Sequence, residues 1–182
     1  MKIKIKKLRE KAIIPSYAHK SDAGLDLTAT YFTFDTKKDC FVYYTGIAME
    51  IPEGHVGLVF PRSSNRNTEA YMTNSVGVID SNYRGEILVC FKNRTATDAT
   101  YDVNDIAEIL YDYIDGDSKY TDTNVDKDSV FDTNRYLIKP PYHVGDRVAQ
   151  LIIIPYPHIE FEEVDELSDT DRGTNGHGST GR

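Results

Sequence analysis

The sequence has no tryptophan, only two cysteines, and no hydrophobic run long enough to cross a membrane. A membrane-spanning helix needs roughly 18 or more consecutive apolar residues, so we expect no membrane contact. Cys40 and Cys90 lack the paired Cys or His spacing of a zinc site. Two isolated thiols fit a reducing, cytoplasmic compartment. The N-terminus alternates lysine and isoleucine without the apolar core of a signal peptide, which predicts a strand there.

The chain also lacks a basic stripe, and its negative charge is concentrated in one segment. The chain of 182 residues has a net charge of -8. Residues 95–134 contain eleven acidic residues and two lysines, a net of -9, which leaves the rest of the chain at +1. Neither this acidic segment nor the remainder, which has no basic stripe, suits a polyanion. The charge pattern therefore excludes a nucleic-acid polymer as a partner.

The sequence does contain many short β-branched runs separated by Gly, Pro, Asn or Asp. They cover residues 2–6, 46–51, 55–60, 87–91 and 147–154. Short strands at this spacing favour an all-β sandwich or barrel over alternating βα units. The length fits one ordinary domain. We therefore expect a single all-β domain over residues 1–182.

Two apolar runs, at 76–79 and 87–91, flank a short polar centre, and this pattern predicts a β-hairpin. Asp80 and Tyr83 would then lie at its tip, where a rigid scaffold can present a carboxylate and a ring to a ligand. The alternative is a surface turn, since Asp, Ser and Asn form turns in any protein. Asn74, just before, either reads the edge of a planar base or is itself a turn residue.

A dense group of anion-binding side chains follows the run at 55–60. Arg62, Ser63 and Ser64 combine a guanidinium with two hydroxyls. A phosphate group favours such planar bidentate donors beside small side chains. The alternative is a helix cap with an incidental arginine.

Two further polar residues lie within apolar runs. Asp26 stands between Leu25 and Leu27, and a carboxylate there needs a partner or a cation. It is either a turn-capping acid or a site residue. Gln150 lies inside the run at 147–154, where a buried amide must find hydrogen-bond partners. Those partners are either other groups of the folded chain or a ligand.

Residues 95–135 interrupt the strand pattern and form an acidic insert. A capping-box sequence begins at Asp105, and apolar residues at i, i+3, i+4 and i+7 follow from Ile106. This spacing predicts one short amphipathic helix. The remainder of the insert is polar and longer than a connecting loop requires.

The C-terminal segment has four glycines in its last ten residues and no residue suited to a core. It is either a flexible end or a lid that closes over phosphates. Glycines free backbone N–H groups to surround an anion, while Ser179 and Thr180 add hydroxyls and Arg172 adds charge. It is not a P-loop, because Ser179 occupies the lysine position and no helix follows.

Five stretches, taken in order, resemble the five motifs of the homotrimeric dUTPase family, the deoxyuridine triphosphate nucleotidohydrolases. They are Ala-Gly-Leu-Asp-Leu at 23–27, Pro-Arg-Ser-Ser at 61–64, the segment 77–86, Gly-Asp-Arg-Val-Ala-Gln-Leu at 145–151, and Arg-Gly-Thr-Asn-Gly-His-Gly-Ser-Thr-Gly at 172–181. Each motif alone is weak. Five in the correct order, over all of the chain except the insert, form a specific signature.

This resemblance implies a distorted jelly-roll β-barrel that assembles as a homotrimer with three active sites. Each site would take motifs one, two and four from one chain and the hairpin from a second. The glycine-rich arm, residues 168–182, would close over it from a third. The implied reaction is Mg2+-dependent hydrolysis of dUTP to dUMP and pyrophosphate.

The resemblance also implies a role for each site residue. Asp80 would be the base that deprotonates the water attacking the α-phosphorus. Asp26 would steady the waters of the Mg2+ ion, and Gln150 would contact the phosphate or the attacking water. The remaining polar side chains of the motifs would neutralise phosphate charge. These are Arg62, Ser63, Ser64, Arg172, Ser179 and Thr180.

Selectivity would come from the third and fifth motifs. Tyr83 would stack under the deoxyribose and leave no room for a 2′-hydroxyl. Asn74 and the main chain at Gly77 and Ile79 would read the uracil edge, which penalises cytosine. In the arm, residues 176–178 (Gly176, His177 and Gly178) would cover the base.

Three departures from the family pattern stand out. His177 replaces the usual Phe that stacks on uracil, and Asn175 replaces a Gly. We predict that His177→Phe tightens substrate binding with little change in turnover; equal or weaker binding in a titration would contradict this. The third departure is the insert, 95–135, which resembles the extra segment of certain bacteriophage dUTPases, some of which also bind a repressor.

Two alternative functions follow from these features. One is a protein-binding regulator that acts through the insert, with or without catalysis, in a host cytoplasm if the chain is phage-encoded. The other is dCTP deaminase, which shares the fold. The glycine-rich arm and the Tyr-Arg-Gly at 83–85 argue against the deaminase.

Overall fold

The computed structural model describes residues 1–35, 37–94 and 140–174, and all elements named below lie in these ranges. There the chain forms ten strands and one 3-10 helix. The strands are β1 Lys4–Lys7, β2 Leu25–Thr28, β3 Tyr31–Asp35, β4 Cys40–Tyr44, β5 Ile47–Glu50, β6 His55–Pro61, β7 Ala70–Met72, β8 Gly77–Ile79, β9 Leu88–Asn93 and β10 Arg147–Pro155. The 3-10 helix spans Ser63–Asn67, directly after β6.

The strands form two four-stranded sheets and a two-stranded one, all antiparallel. The first sheet has the order β2-β10-β6-β8 and the second the order β3-β4-β9-β7, while β1 pairs with β5. Within β1 the lysines are exposed and Ile5 is half-buried, so the alternation places one face of this strand in solvent.

Side chains from both four-stranded sheets make one buried cluster. Leu27, Val59 and Leu151 come from the first sheet, and Tyr43 and Phe91 from the second. The Tyr43 hydroxyl donates to the main-chain oxygen of Tyr142 over 3.0 Å and accepts from its amide over 3.1 Å. A buried phenol needs such partners. The cluster therefore ties the start of the β10 segment to the second sheet.

The predicted hairpin is wrong. Strand β8 pairs with β6 in the first sheet, whereas β9 pairs with β4 and β7 in the second. No ladder joins β8 to β9 within the described residues. Residues 80–87 are instead a loop that crosses from one sheet to the other. The physical reason is that both strands find longer-range partners that also bury their inward side chains.

The expectations about strand positions and fold class agree with the structure. The five predicted strand runs correspond to β1, β5, β6, β9 and β10, and the all-β class is confirmed. The two cysteines are free. The helix expected from Asp105 and the rest of the insert lie outside the described residues. Within the described part of the chain, no helix is long and apolar enough to span a bilayer.

Candidate active site

Asp26 occupies the centre of a charged cluster on the first sheet. In the strand register it lies opposite Gln150 of β10, which in turn lies opposite Phe60 of β6. Its Oδ1 accepts from Arg62 Nε over 2.7 Å, and its Oδ2 accepts from Arg147 Nη1 over 3.0 Å. Only 14% of the Asp26 side chain is exposed. Of the two interpretations left open by the sequence, the structure thus excludes a simple turn cap.

Arg62 lies where β6 ends and the 3-10 helix begins. Its side chain is 22% exposed, and Nη1 also donates to Ser64 Oγ over 3.4 Å. An arginine has five N–H donors, so donors remain for an anion after these bonds. Ser63 is exposed and Ser64 half-buried. The structure therefore joins Arg62 to both Asp26 and Ser64, with Ser63 exposed next to them in the chain.

The Gln150 side chain is fixed between Pro61 and Gly24. Its Nε2 donates to the main-chain oxygen of Pro61 over 3.1 Å. A Cβ placed on Gly24 would lie 2.8 Å from Gln150 Oε1 and 3.2 Å from its Cβ. Only glycine therefore leaves room for the amide in its present place. The Oε1 atom stays available as an acceptor for a water or hydroxyl.

A second layer of contacts supports this cluster from below. Tyr142, which is buried, donates its hydroxyl to Asn65 Oδ1 over 3.0 Å, and Asn65 Nδ2 donates to the oxygen of Ala70 over 3.2 Å. Burial raises the pKa of Tyr142 above its usual value, although the nearby Arg62 charge opposes the shift. These contacts fix the 3-10 helix that follows Arg62.

Sequence reasoning missed Arg147, Asn65 and Tyr142. Arg147 is part of the fourth motif, but nothing local shows that its partner is Asp26, which is 121 positions away. Asn65 and Tyr142 are likewise 77 positions apart. The position of Asp26 inside an apolar run indicated that its carboxylate needs a charged partner. It did not indicate which residue that partner is.

Asp80 and Tyr83 lie on the loop between the sheets. Both are exposed, and they share a shallow depression with Val78, Ile79, Glu86 and Leu88. The loop begins with a turn in which the Tyr83 amide donates to the Asp80 oxygen over 3.1 Å. Arg84 Nη1 donates to the main-chain oxygens of Ser81 and Tyr83 over 2.6 and 2.9 Å. Arg84 thereby stiffens the loop from within.

The predicted base-reading residues lie just before this loop. Gly77 and Ile79 belong to β8 and pair with Val59 and Gly57. Asn74 is exposed, and the turn after it includes Ser75 at a φ of 57°. A Cβ on Gly77 would lie 3.2 Å from Val59 Cβ and 3.5 Å from Asn74 Nδ2. Gly77 thus lets the β8 edge and Asn74 approach β6 closely.

The two groups of site residues lie far apart within one chain. Ile79 pairs with Gly57, so Asp80 follows on beside Val56, four residues along β6 from Phe60. Asp26 is three strands away from β8 in the same sheet. With about 4.8 Å between strands and about 3.3 Å per residue, the Asp26 and Asp80 Cα atoms are roughly 20 Å apart. A single chain does not bring both carboxylates to one reacting atom.

The C-terminal segment extends over the surface without a core of its own. Every residue from 154 to 174 is exposed, including Phe161 at 96% and Leu167 at 88%. Arg172 lies in a turn closed by the Gly173 amide on Thr170. The predicted arm ligands Gly176, His177, Gly178, Ser179 and Thr180 lie outside the described residues.

The donor set suits a magnesium ion that binds mainly through a substrate. No group of three or more His, Cys, Asp or Glu side chains gathers anywhere in residues 1–35, 37–94 and 140–174. An all-protein cage is therefore missing from these ranges. Mg2+ commonly keeps several waters and binds through one or two carboxylates and substrate phosphates. Asp26, with Arg62 beside it as a candidate phosphate ligand, fits that second arrangement.

A family model and two related proteins match nearly the whole chain. A family model described as dUTPase matches residues 10–136 and 138–181. The deoxyuridine 5'-triphosphate nucleotidohydrolase of Corynebacterium glutamicum is 35% identical over 181 residues, which cover 99% of this chain and 95% of that protein. The enzyme of the same name from Picosynechococcus is 32% identical over 182 residues, or 100% and 99% of the two chains.

The fold gives the same result. The structure of Staphylococcus bacteriophage 80alpha dUTPase with dUPNHPP aligns with a TM-score of 0.69 and 28% identity, covering 100% of this chain and 99% of that chain. The antiparallel sheets and the five ordered motifs define an all-β nucleotide hydrolase. The chain belongs to the dUTPase family, whose enzyme class is dUTP diphosphatase. The resemblance found in the sequence is thus confirmed.

Proposed function

We propose that this enzyme hydrolyses dUTP to dUMP and pyrophosphate at sites shared between the subunits of a homotrimer. The separation of roughly 20 Å between Asp26 and Asp80 carries this proposal, since a carboxylate base must reach its water directly. In the trimer, the Asp26 cluster of one protomer faces the 80–87 loop of a second. The exposed C-terminal segment reaches the same site from a third.

The Asp26 cluster binds the triphosphate. Arg62 presents the N–H donors that Asp26 and Ser64 leave free, and Ser63 and Ser64 add hydroxyl donors. Because Asp26 fixes the guanidinium before substrate arrives, little ordering is required on binding. Residues of the arm complete the shell around the phosphates. These are Arg172, Ser179 and Thr180.

Mg2+ would be held by the phosphates and, through its waters, by Asp26. When bound, the ion would neutralise phosphate charge and hold the triphosphate in one conformation. The lone pairs of Asp26 that face away from Arg62 and Arg147 are suited to accept hydrogen bonds from those waters. Asp26 thus has two roles, holding the waters of the ion and orienting Arg62. The second role is supported by the hydrogen bond between Asp26 and Arg62.

Asp80 takes the proton of the attacking water. It is exposed in the isolated chain, so its carboxylate is available to a neighbouring protomer's ligand. Gln150 Oε1 accepts from the attacking water or Nε2 donates to the α-phosphate after leaving Pro61. A positioned base contributes about 10²–10⁴-fold to the rate. Charge stabilisation by the arginines and hydroxyls supplies much of the remainder.

Substrate selectivity comes from the loop and the β8 edge. Tyr83, 43% exposed, offers a ring face to the deoxyribose, and a 2′-hydroxyl would collide with it. Asn74 and the main chain at Gly77 and Ile79 hydrogen-bond the uracil edge. The arm residues Gly176, His177 and Gly178 close over the base. Cytosine would leave these groups unpaired, which is a strong basis for rejection.

A nucleotide panel tests the proposal. Pyrophosphate release should be fast with dUTP and slow with UTP, dCTP and dTTP, and it should require Mg2+. Asp80→Asn should abolish turnover while leaving binding of a dUTP analogue in place. Release of ammonia from dCTP would favour the deaminase, and turnover of dUTP by Asp80→Asn would remove Asp80 from its role as base.

A second function, protein binding through residues 95–135, is supported by the phage relative. The work on Staphylococcus bacteriophage 80alpha dUTPase describes phage dUTPases that control transfer of virulence genes by a G protein-like mechanism. That segment has a net charge of -8, which equals the net charge of the whole chain. Deleting residues 97–133 should spare dUTP hydrolysis and abolish capture of a repressor-type partner. Unchanged capture by the deletion variant would contradict this second function.

A further inference from the structure

We propose that Glu86 is a positioning residue that sets the preference for deoxyribose over ribose, because it fixes Tyr83. This inference rests on the proposed function, in which the Tyr83 ring excludes the 2′-hydroxyl. The residue lies at the end of the 80–87 loop, two residues before Leu88, where the pairing of β9 with β4 begins. It touches no substrate in our account and acts through the ring.

The Tyr83 side chain folds back on its own loop. Its hydroxyl donates to the main-chain oxygen of Glu86 over 2.9 Å. The ring lies so close to Gly85 that a Cβ at that position would be 2.5 Å from Tyr83 Cζ. The ring plane is therefore set by two contacts, one with Gly85 and one with the Glu86 carbonyl. The second contact depends on where that carbonyl points.

The Glu86 side chain anchors this carbonyl to a distant part of the fold. Its carboxylate is 17% exposed, and Oε1 accepts from the Gly46 amide over 2.6 Å. Its Oε2 lies 3.5 Å from Arg9 Nη2. A carboxylate that accepts from a main-chain amide at this distance forms a strong, charge-assisted bond.

The partners of Glu86 are themselves held rigidly. Gly46 has a φ of 69°, and a Cβ there would lie 2.8 Å from Ala12 Cβ, so this turn requires glycine. The Arg9 guanidinium carbon lies 5.5 and 5.4 Å from the ring centroids of Tyr31 and Tyr44. Glu86 therefore connects the end of the 80–87 loop to the packed turn between β4 and β5.

The next residue is fixed independently of the Glu86 side chain. The Ile87 amide donates to the Ile47 oxygen over 2.9 Å, and Thr45 Oγ1 donates to the Ile87 oxygen over 2.8 Å. Loss of the Glu86 carboxylate should therefore leave β9 in place and loosen only the peptide between Gly85 and Ile87. The ring of Tyr83 would then gain freedom, and the space it denies to a 2′-hydroxyl would open.

The test compares kcat/KM for dUTP and UTP in Glu86→Ala. The ratio of the two should fall by about tenfold, as expected when one positioning hydrogen bond is lost, mainly through faster UTP turnover. Glu86→Gln keeps an acceptor for the Gly46 amide and should restore most of the ratio. Tyr83→Phe removes the donor of the same contact and should lower the ratio similarly. Glu86→Ala and Tyr83→Phe both disrupt the same contact between the Tyr83 hydroxyl and the Glu86 carbonyl. The double variant should therefore show no further fall in the ratio.

Asp35→Ala is the matched control. Asp35 accepts from the amides of Lys37 and Lys38 over 3.0 Å in a turn away from the loop, so the same kind of bond is lost without touching Tyr83. An unchanged ratio in both Glu86→Ala and Tyr83→Phe overturns the inference, as does an equal fall in the control. If Tyr83→Ala also leaves the ratio unchanged, the proposed role of Tyr83 is what fails. If Glu86→Ala does not fold, the Tyr83→Phe result alone decides.

Discussion

Replacing Asp26 with Asn tests whether this carboxylate orients Arg62. The change keeps the shape of the side chain and removes its charge. Asp26 now accepts two hydrogen bonds from arginines, at 2.7 Å from Arg62 and 3.0 Å from Arg147. An asparagine has one acceptor oxygen, so it can keep only one of them. Its NH2 group would face the other arginine with no bond to offer.

The magnitude follows from the exposure of each partner. A hydrogen bond between charged groups contributes about 1.5–3 kcal/mol and a neutral one about 0.5–1.5 kcal/mol. The Arg62 bond is largely buried, whereas the Arg147 side chain is 52% exposed and its contribution is reduced by solvent screening. We therefore expect Asp26→Asn to cost about 2 kcal/mol of subunit stability. If stabilisation of the transition state falls by the same amount, kcat/KM for dUTP should fall about 30-fold.

Thermal unfolding and steady-state pyrophosphate release measure the two effects. Glu50→Gln is the control, because its ion pair with Lys4 has side chains 44% and 83% exposed and should contribute little. A titration with Mg2+ separates the two tasks of Asp26, since excess ion should not restore a misplaced Arg62. The reasoning is refuted if Asp26→Asn matches the wild type in kcat/KM, or if Mg2+ alone brings activity back fully.

Two further predictions concern the neighbours of this cluster. Gly24→Ala should lower kcat/KM by displacing the Gln150 amide, whose Oε1 would be 2.8 Å from the new Cβ, with little effect on thermal stability; wild-type activity would show that Gln150 is not used in this position. For Tyr142, burial raises the pKa in the folded state, so its contribution to stability is complete below about pH 10 and is lost as the pH rises beyond. The melting temperature of the wild type should therefore fall more steeply above about pH 10 than that of Tyr142→Phe, and parallel curves would contradict this.

The strands were predictable because their signal is local. The five runs that became β1, β5, β6, β9 and β10 all contain β-branched residues, and all but the first also have flanking turn formers, which is sufficient to indicate a strand. The pairing of β8 was not predictable in the same way. Two adjacent apolar runs joined by a short polar centre suggest a hairpin, but the pattern does not reveal a better partner. Here β6, which lies upstream, provides that partner for β8.

The candidate site shows the same limit. Arg62, Ser63 and Ser64 could be grouped from adjacency, and in the structure Arg62 bonds both Asp26 and Ser64. Asp26 could be recognised as needing a partner, yet the register that brings Arg147 to it depends on how β2 and β10 align. Glu86 is a stronger example. In the sequence Glu86 is only an acidic residue after a glycine. Nothing nearby indicates its partner, because Gly46 is forty positions away.

The most direct test of the shared site is subunit mixing. Asp80→Asn and Arg62→Met chains should each form homotrimers without activity. Co-refolded in equal amounts, they should recover roughly a quarter of wild-type dUTP hydrolysis, since random assembly in a closed trimer pairs an intact Asp80 with a neighbour's intact Arg62 at that frequency. If each site were built within one chain, every site in the mixture would carry one defect. A mixture as inactive as its two components would therefore contradict the account.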